Sequence, residues 1–173
     1  MEKLLEKISS YNILNNLIPG AIFCWMCYSF IGFNFLTNSI IENIFIYYFS
    51  GMVISRIGSL VIEPICKKTR LVTYAPKEEY VAATQKDNLI GTLLEACNLY
   101  RTCAGLCLAL ILSKIYYHIK IHFIISSDVS WWILIIILLI LFVFSYSKQS
   151  NHIYSRVKAA KLQQDNEKVD VQC

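Results

Sequence analysis

Charge is scarce in this chain. Of its 173 residues only 16% are Asp, Glu, Lys or Arg, whereas 56% are hydrophobic and the mean hydropathy is +0.50. Soluble domains carry about 25% charged residues, so an ordinary water-soluble domain is excluded. Long basic tracts are lacking too. The net charge is +4, and no segment is both basic and long enough to serve as a nucleic-acid arm, so no direct nucleic-acid binding is expected. Catalytic signatures are equally sparse: the chain has no GxSxG, P-loop, HExxH or dinucleotide fingerprint.

Histidine is almost missing, with only His118, His122 and His152. His118 and His122 stand at i and i+4 without an adjacent carboxylate ligand, which makes a poor metal pair. His152 precedes Arg156, the reverse of the Arg-then-His order a HEPN-type ribonuclease needs, and no Arg here is followed by His at that spacing. Neither an enzyme nor a cofactor is expected. The seven cysteines, among them Cys24-x-x-Cys27 and Cys103-x-x-x-Cys107, fall mostly in apolar runs. They read as small packing residues, not as a disulfide framework or metal ligands. The residues up to Asn16 are mixed in charge and amide-rich, so no cleaved signal peptide is expected.

What the chain does have is four apolar runs near the roughly 20 residues a bilayer core requires. They lie at about 17–36, 41–62, 102–117 and 131–146. Pro19 suits a first helical turn and is expected to open the first. Glu63-Pro64 is expected to stop the second. Lys114, near one end of the short third run, has a stem long enough to snorkel its ammonium to the interface. The expected fold is all-α: one integral membrane domain over 1–173, with four transmembrane helices.

The cations orient it. Only Lys114 and Lys120 of the sixteen Lys and Arg fall outside the N-terminus, the segment 56–101 and the stretch from 148 onward. By the positive-inside rule the regions 1–16, 63–101 and 147–173 face the cytosol, with both termini inside. Trp131, Trp132, Tyr116 and Tyr117 then form an outer aromatic belt. Pro76 followed by Glu78 and Glu79 reads as a helix start, and no proline intervenes before Tyr117. The third span is therefore expected to project about 35 Å into the cytosol at 1.5 Å per residue. The fourth is expected to continue to about Gln164, with Asn166 to Cys173 frayed. These extensions and residues 2–16 predict a small cytosolic helical bundle.

Arg56 is the foremost candidate residue, because a charge inside a span costs about 2.5–3.5 kcal/mol at mid-bilayer on insertion scales. Glu63 at i+7, Glu95 and Asp87 are its candidate partners, and Arg101 stands at the corresponding depth of the third helix. Arg56, Glu63, Glu95 and Arg101 fit either a charged mouth of an oligomeric pore or a structural ion-pair network. Small residues recur every fourth position as Gly51, Ser55 and Ser59 in the second span, and as Gly105, Ala109 and Ser113 in the third. Such stripes let helices approach closely, within one protomer or between subunits. The fourth span has none and reads as lipid-facing.

Three stretches together carry a resemblance. They are Tyr11-Asn12-Ile13-Leu14-Asn15-Asn16-Leu17-Ile18-Pro19-Gly20, then Ile54-Ser55-Arg56-Ile57-Gly58-Ser59 with Glu63-Pro64, and Asn98-Leu99-Tyr100-Arg101-Thr102. Over about 11–102 the chain resembles small bacterial multi-span proteins, some of them accessory membrane proteins of RNA-targeting CRISPR systems. The resemblance implies a bacterial inner-membrane effector in antiphage defence, working beside a cytosolic partner such as a nuclease. With the small-residue stripes it predicts a homo-oligomeric membrane effector or pore. The alternative is a membrane anchor or sensor that recruits a cytosolic partner through its helical extensions.

Overall fold

The computed structural model describes residues 2–76, 79–80, 83–84, 87 and 89–170, with side chains given for those between 13 and 158. Among the described residues every regular element is helical. Helix α1 spans Glu2–Met26 and runs into a π-helical turn at Cys27–Ile31. Helix α2 spans Ile40–Ile57, passes through a second π turn at Gly58–Ile62 and continues as α3, Glu63–Lys68. Helix α4 spans Leu89–His122 and α5 spans Ser127–Asp170. Four stretches among these are long and apolar enough to cross a membrane: 13–31, 40–68, 89–122 and 127–158.

Three helix boundaries differ from expectation, each for a local reason. Pro19 lies inside α1, which begins at Glu2. Its ring removes the donor to the Asn15 carbonyl without ending the helix. Pro64 does not stop the second span either. The π turn shifts the carbonyl left open by the proline's missing N–H to Ser59, and the helical path carries on to Lys68. The third correction concerns α4. Residue 87 is non-helical, and the Asp87 carboxylate accepts the backbone N–H of Leu89 at 2.8 Å, capping a new helix. The stretch of α4 before Thr102 is thus about 20 Å long at 1.5 Å per residue, shorter than the expected 35 Å. The expected start at Glu78 lies outside the described residues. Helix α5, by contrast, runs beyond Gln164 through Asp170, about 36 Å past residue 146. Residues 171–173 are outside the described set.

Helix α2 is the wall that the other spans share. It crosses α1 where Gly20 faces Gly51: a Cβ on Gly20 would lie 2.7 Å from the Gly51 nitrogen, and one on Gly51 would collide with the Asn16 carbonyl. It meets α4 where Gly105 faces Gly58. A Cβ on Gly105 would come within 2.7 Å of the Ile54 oxygen, and one on Gly58 within 2.7 Å of the Arg101 oxygen. Backbone touches backbone at both crossings, the geometry small residues permit where no water drives association. Cys24 and Cys27 are buried between α1 and its neighbours as small packing groups, and the Cys24 thiol donates to the Ser50 hydroxyl at 3.8 Å. Ile54, Leu106 and Ala109 form the buried core beside them.

Helix α5 is the exception. Only 6% of its most apolar stretch is buried, against 17–22% for the other three. It rests on α2 through Phe49 and Phe142, with ring centroids 6.2 Å apart, and on the second π turn and α3 through Lys148. At the opposite end of the molecule Lys114 donates to the Phe30 carbonyl at 3.0 Å. That ammonium satisfies an acceptor left open where the first π turn ends.

Two glycines on one helix should behave in opposite ways. Gly105→Val should destabilise the protein by about 1–3 kcal/mol through forced separation of α2 and α4. Gly91→Ala, where a Cβ meets nothing within 4 Å, should stabilise it by about 0.5–1 kcal/mol. Detergent-denaturation midpoints of the two variants check the contrast.

Candidate functional site

Neighbouring ends of three spans converge on one carboxylate. Glu63 is 7% exposed and follows the second π turn directly. Its Oε1 accepts from Lys67 Nζ at 2.8 Å, and its Oε2 accepts from Arg101 Nη1 at 3.1 Å and from Lys148 Nζ at 2.7 Å. Lys67 lies one turn further along α3, Arg101 stands one residue before the third apolar run, and Lys148 two residues after the fourth. The site therefore ties α3, α4 and α5 together at one depth.

Why Lys148 belongs there follows from the proline. In the π turn the Glu63 N–H is given to the Gly58 carbonyl, five residues back. The next N–H in that register would come from residue 64, and proline has none. The Ser59 carbonyl is left open, and Lys148 Nζ donates to it at 2.6 Å. The same ammonium donates to Ser59 Oγ at 2.8 Å and to Glu63 Oε2. An ammonium has three N–H bonds, and all three are used. Lys148 is thus the group that makes a proline-containing helix acceptable at this point, while Glu63 holds it by charge.

Within the cluster three cations face one carboxylate, which leaves an excess of two positive charges. Lys67 disposes of part of its charge over the Tyr74 ring, 4.2 Å from the centroid. Arg101 gives one N–H to Glu63, and its buried Nε has no acceptor among the described residues.

The other candidate residues are distributed as follows. Glu63 and Arg101 meet in this cluster. Arg56 does not pair with Glu63: the carboxylate is turned to Lys67, Arg101 and Lys148, and among the described residues none forms an ion pair with Arg56. Glu95 lies on the stretch of α4 before Thr102 and takes no part in the cluster, and neither does Asp87, which caps α4. Gly51 and Gly105 sit at the two helix crossings, and Ala109 is buried in the core. Ser55 and Ser113 are half-buried on α2 and α4. Ser59, grouped by spacing with the packing residues, is instead a polar ligand of Lys148.

Lys148 and Lys67 escape a reading by motif. The available signal is depth: Glu63, Arg101 and Lys148 all lie within two residues of the end of an apolar run, so helices of similar tilt bring them level. His118 and His122 line a shallow cavity with Ile119, Ile121 and Phe123, and no carboxylate or thiol joins them there. No protein-family model, curated protein or solved structure matches the chain.

Removing the carboxylate leaves three cations without an anion among them. Glu63→Gln should lower stability by about 3–5 kcal/mol, as when one side of a buried charge network is deleted. Lys148→Met should cost less, because Lys67 and Arg101 still neutralise Glu63, but it should free α5. In a cysteine-free background, the pair Phe49→Cys and Phe142→Cys should cross-link readily while Lys148 is present. Adding Lys148→Met to that pair should make cross-linking poor.

Proposed function

We propose that this protein is a homo-oligomeric, multi-pass effector of the bacterial inner membrane, with both termini in the cytosol, that opens a pore or depolarises the membrane when triggered. Arg56 carries the reading. It stands seven residues before Glu63, about 10 Å deeper into the second span at 1.5 Å per residue. It forms no ion pair among the described residues, whereas each cation of the neighbouring cluster bonds to Glu63. A charge at such depth calls for a water-filled cavity or a partner group. A second copy of the chain supplies either one: a carboxylate across a subunit boundary, or a lumen that no single four-helix protomer encloses. The glycines at 51 and 105 are occupied inside the protomer, so the subunit contact falls elsewhere, on the open faces of α4 and α5. The resemblance of residues 11–102 to membrane proteins of antiphage systems supplies the setting, with a cytosolic nuclease as the trigger.

Arg56→Ala should reduce ion flux from protein-loaded liposomes by about tenfold or more while leaving insertion unchanged. Arg56→Lys should retain most of the flux. The oligomeric mass in detergent should exceed that of one chain. A strictly monomeric species in ion-tight liposomes sinks the idea.

One observation favours a second reading, an anchor or sensor. Helices α1, α4 and α5 all continue beyond the inner ends of their spans, α5 furthest. Together they offer a helical bundle on which a cytosolic partner docks. Deleting residues 150–173 should then abolish co-purification of that partner and leave membrane insertion intact. A truncated chain that still retains the partner removes the tail from this role.

A further inference from the structure

Beside the Lys148 cluster runs a groove of about 290 Å³ between the second π turn and α5, lined by Leu60, Phe144, Ser147, Lys148, Asn151 and His152. We propose that it is a binding site for the headgroup of an anionic phospholipid of the inner leaflet.

Polarity along the groove is the first support. Leu60 and Phe144 fall within the apolar runs 41–62 and 131–146, while Ser147, Lys148, Asn151 and His152 lie beyond them. The apolar end therefore faces the acyl region and the polar end the headgroup layer, the grain of an amphiphile lying along the membrane normal. A soluble metabolite has no use for an end open to hydrocarbon. Volume agrees: the groove is at the small end of small-molecule sites, about 300–1,000 Å³, and suits a headgroup with the acyl chains outside.

Charge is the second support. The adjoining cluster holds two more positive charges than negative ones, and Lys148, which lines the groove, already uses its three N–H bonds on Ser59 and Glu63. It therefore attracts an anion by its field while its hydrogen bonds stay within the protein. The direct donors are the Ser147 hydroxyl and the Asn151 amide, exposed side chains one helical turn apart on α5 with no hydrogen-bond partner among the described residues. A phosphate bridging them accepts from both. A basic site at this depth of the inner leaflet selects anionic lipid.

This inference rests on the membrane placement and not on the assembly reading, so either can fail alone. The test is native mass spectrometry of the full chain in detergent, titrated with short-chain phosphatidylglycerol or phosphatidylcholine. One phosphatidylglycerol per chain should bind at least about tenfold more tightly than phosphatidylcholine. The double variant Ser147→Ala/Asn151→Leu, at exposed positions outside the ion-pair cluster, should lose that preference while keeping its denaturation midpoint. Equal binding of the two lipids, or an unchanged preference in the double variant, overturns the proposal. So does full displacement of phosphatidylglycerol by millimolar inorganic phosphate, which would assign the groove to a soluble phosphate instead. For Lys148→Met the preference should fall even though both direct donors remain, and a variant that binds as tightly as the parent overturns the role given to the cluster.

Discussion

A backbone carbonyl that cannot find an N–H is the constraint from which the inner end of this molecule follows. In hydrocarbon each unsatisfied peptide group costs several kcal/mol, so an interruption of helical bonding has to be answered by something nearby. Pro64 creates such an interruption, and the π turn moves it from Leu60 to Ser59 without removing it. The answer comes from Lys148, more than eighty residues further along the chain. Once an ammonium occupies that point, a carboxylate is required to hold it, and Glu63 is the nearest. Glu63 in turn is buried deeply enough to draw in Arg101 and Lys67. Proline, π turn, lysine and carboxylate form one causal sequence.

The second constraint is steric. With water absent there is little to gain from burying large apolar groups between helices, and close contact must hold the spans together. Hence a core of few residues, two crossings where glycine meets backbone, and many large apolar side chains left facing outward. Helix α5 illustrates the converse. Its Ile- and Leu-rich centre has no small-residue stripe, so it cannot approach α2 closely, and polar bonds at Lys148 locate it where packing does not. Among the described residues, the far end of α5 is tied to the other helices at the Lys148 junction.

Much of the membrane-spanning architecture is legible in the residue pattern, since a hydrocarbon-length apolar run has few alternatives. Gly51 and Gly105 stand out by spacing, and Glu63 and Arg101 by being charged at span ends. Other features are hidden for physical reasons. A period of 3.6 carries no trace of a π turn, so Gly58–Ile62 and its effect on Pro64 cannot be read from spacing. Pro19 looks like a helix opener because the residues before it are polar, yet polar residues continue a helix readily outside the bilayer. Asp87 caps α4 by a side-chain bond that competes with the backbone, and its neighbours give no comparable warning. Lys148 reads as one of several tail cations until the three span ends are set at equal depth.

The contrast between Lys148 and Arg56 bears most directly on function. Both are cations close to the Glu63 end of the second span, and both adjoin the same helical segment. For one, the chain supplies a carbonyl, a hydroxyl and a carboxylate within 2.8 Å. For the other, further into the membrane, no described carboxylate forms an ion pair. Simple neutrality would be served by turning Glu63 toward Arg56, at i+7 in an unbroken helix. The π turn and the competing cations point it elsewhere. On the proposed reading, the acceptor for Arg56 lies outside the protomer, at a surface shared with another copy of the chain. Assembly in the membrane is therefore the reading that Arg56 favours, and the cluster at Glu63 is the rigid frame that holds it in place.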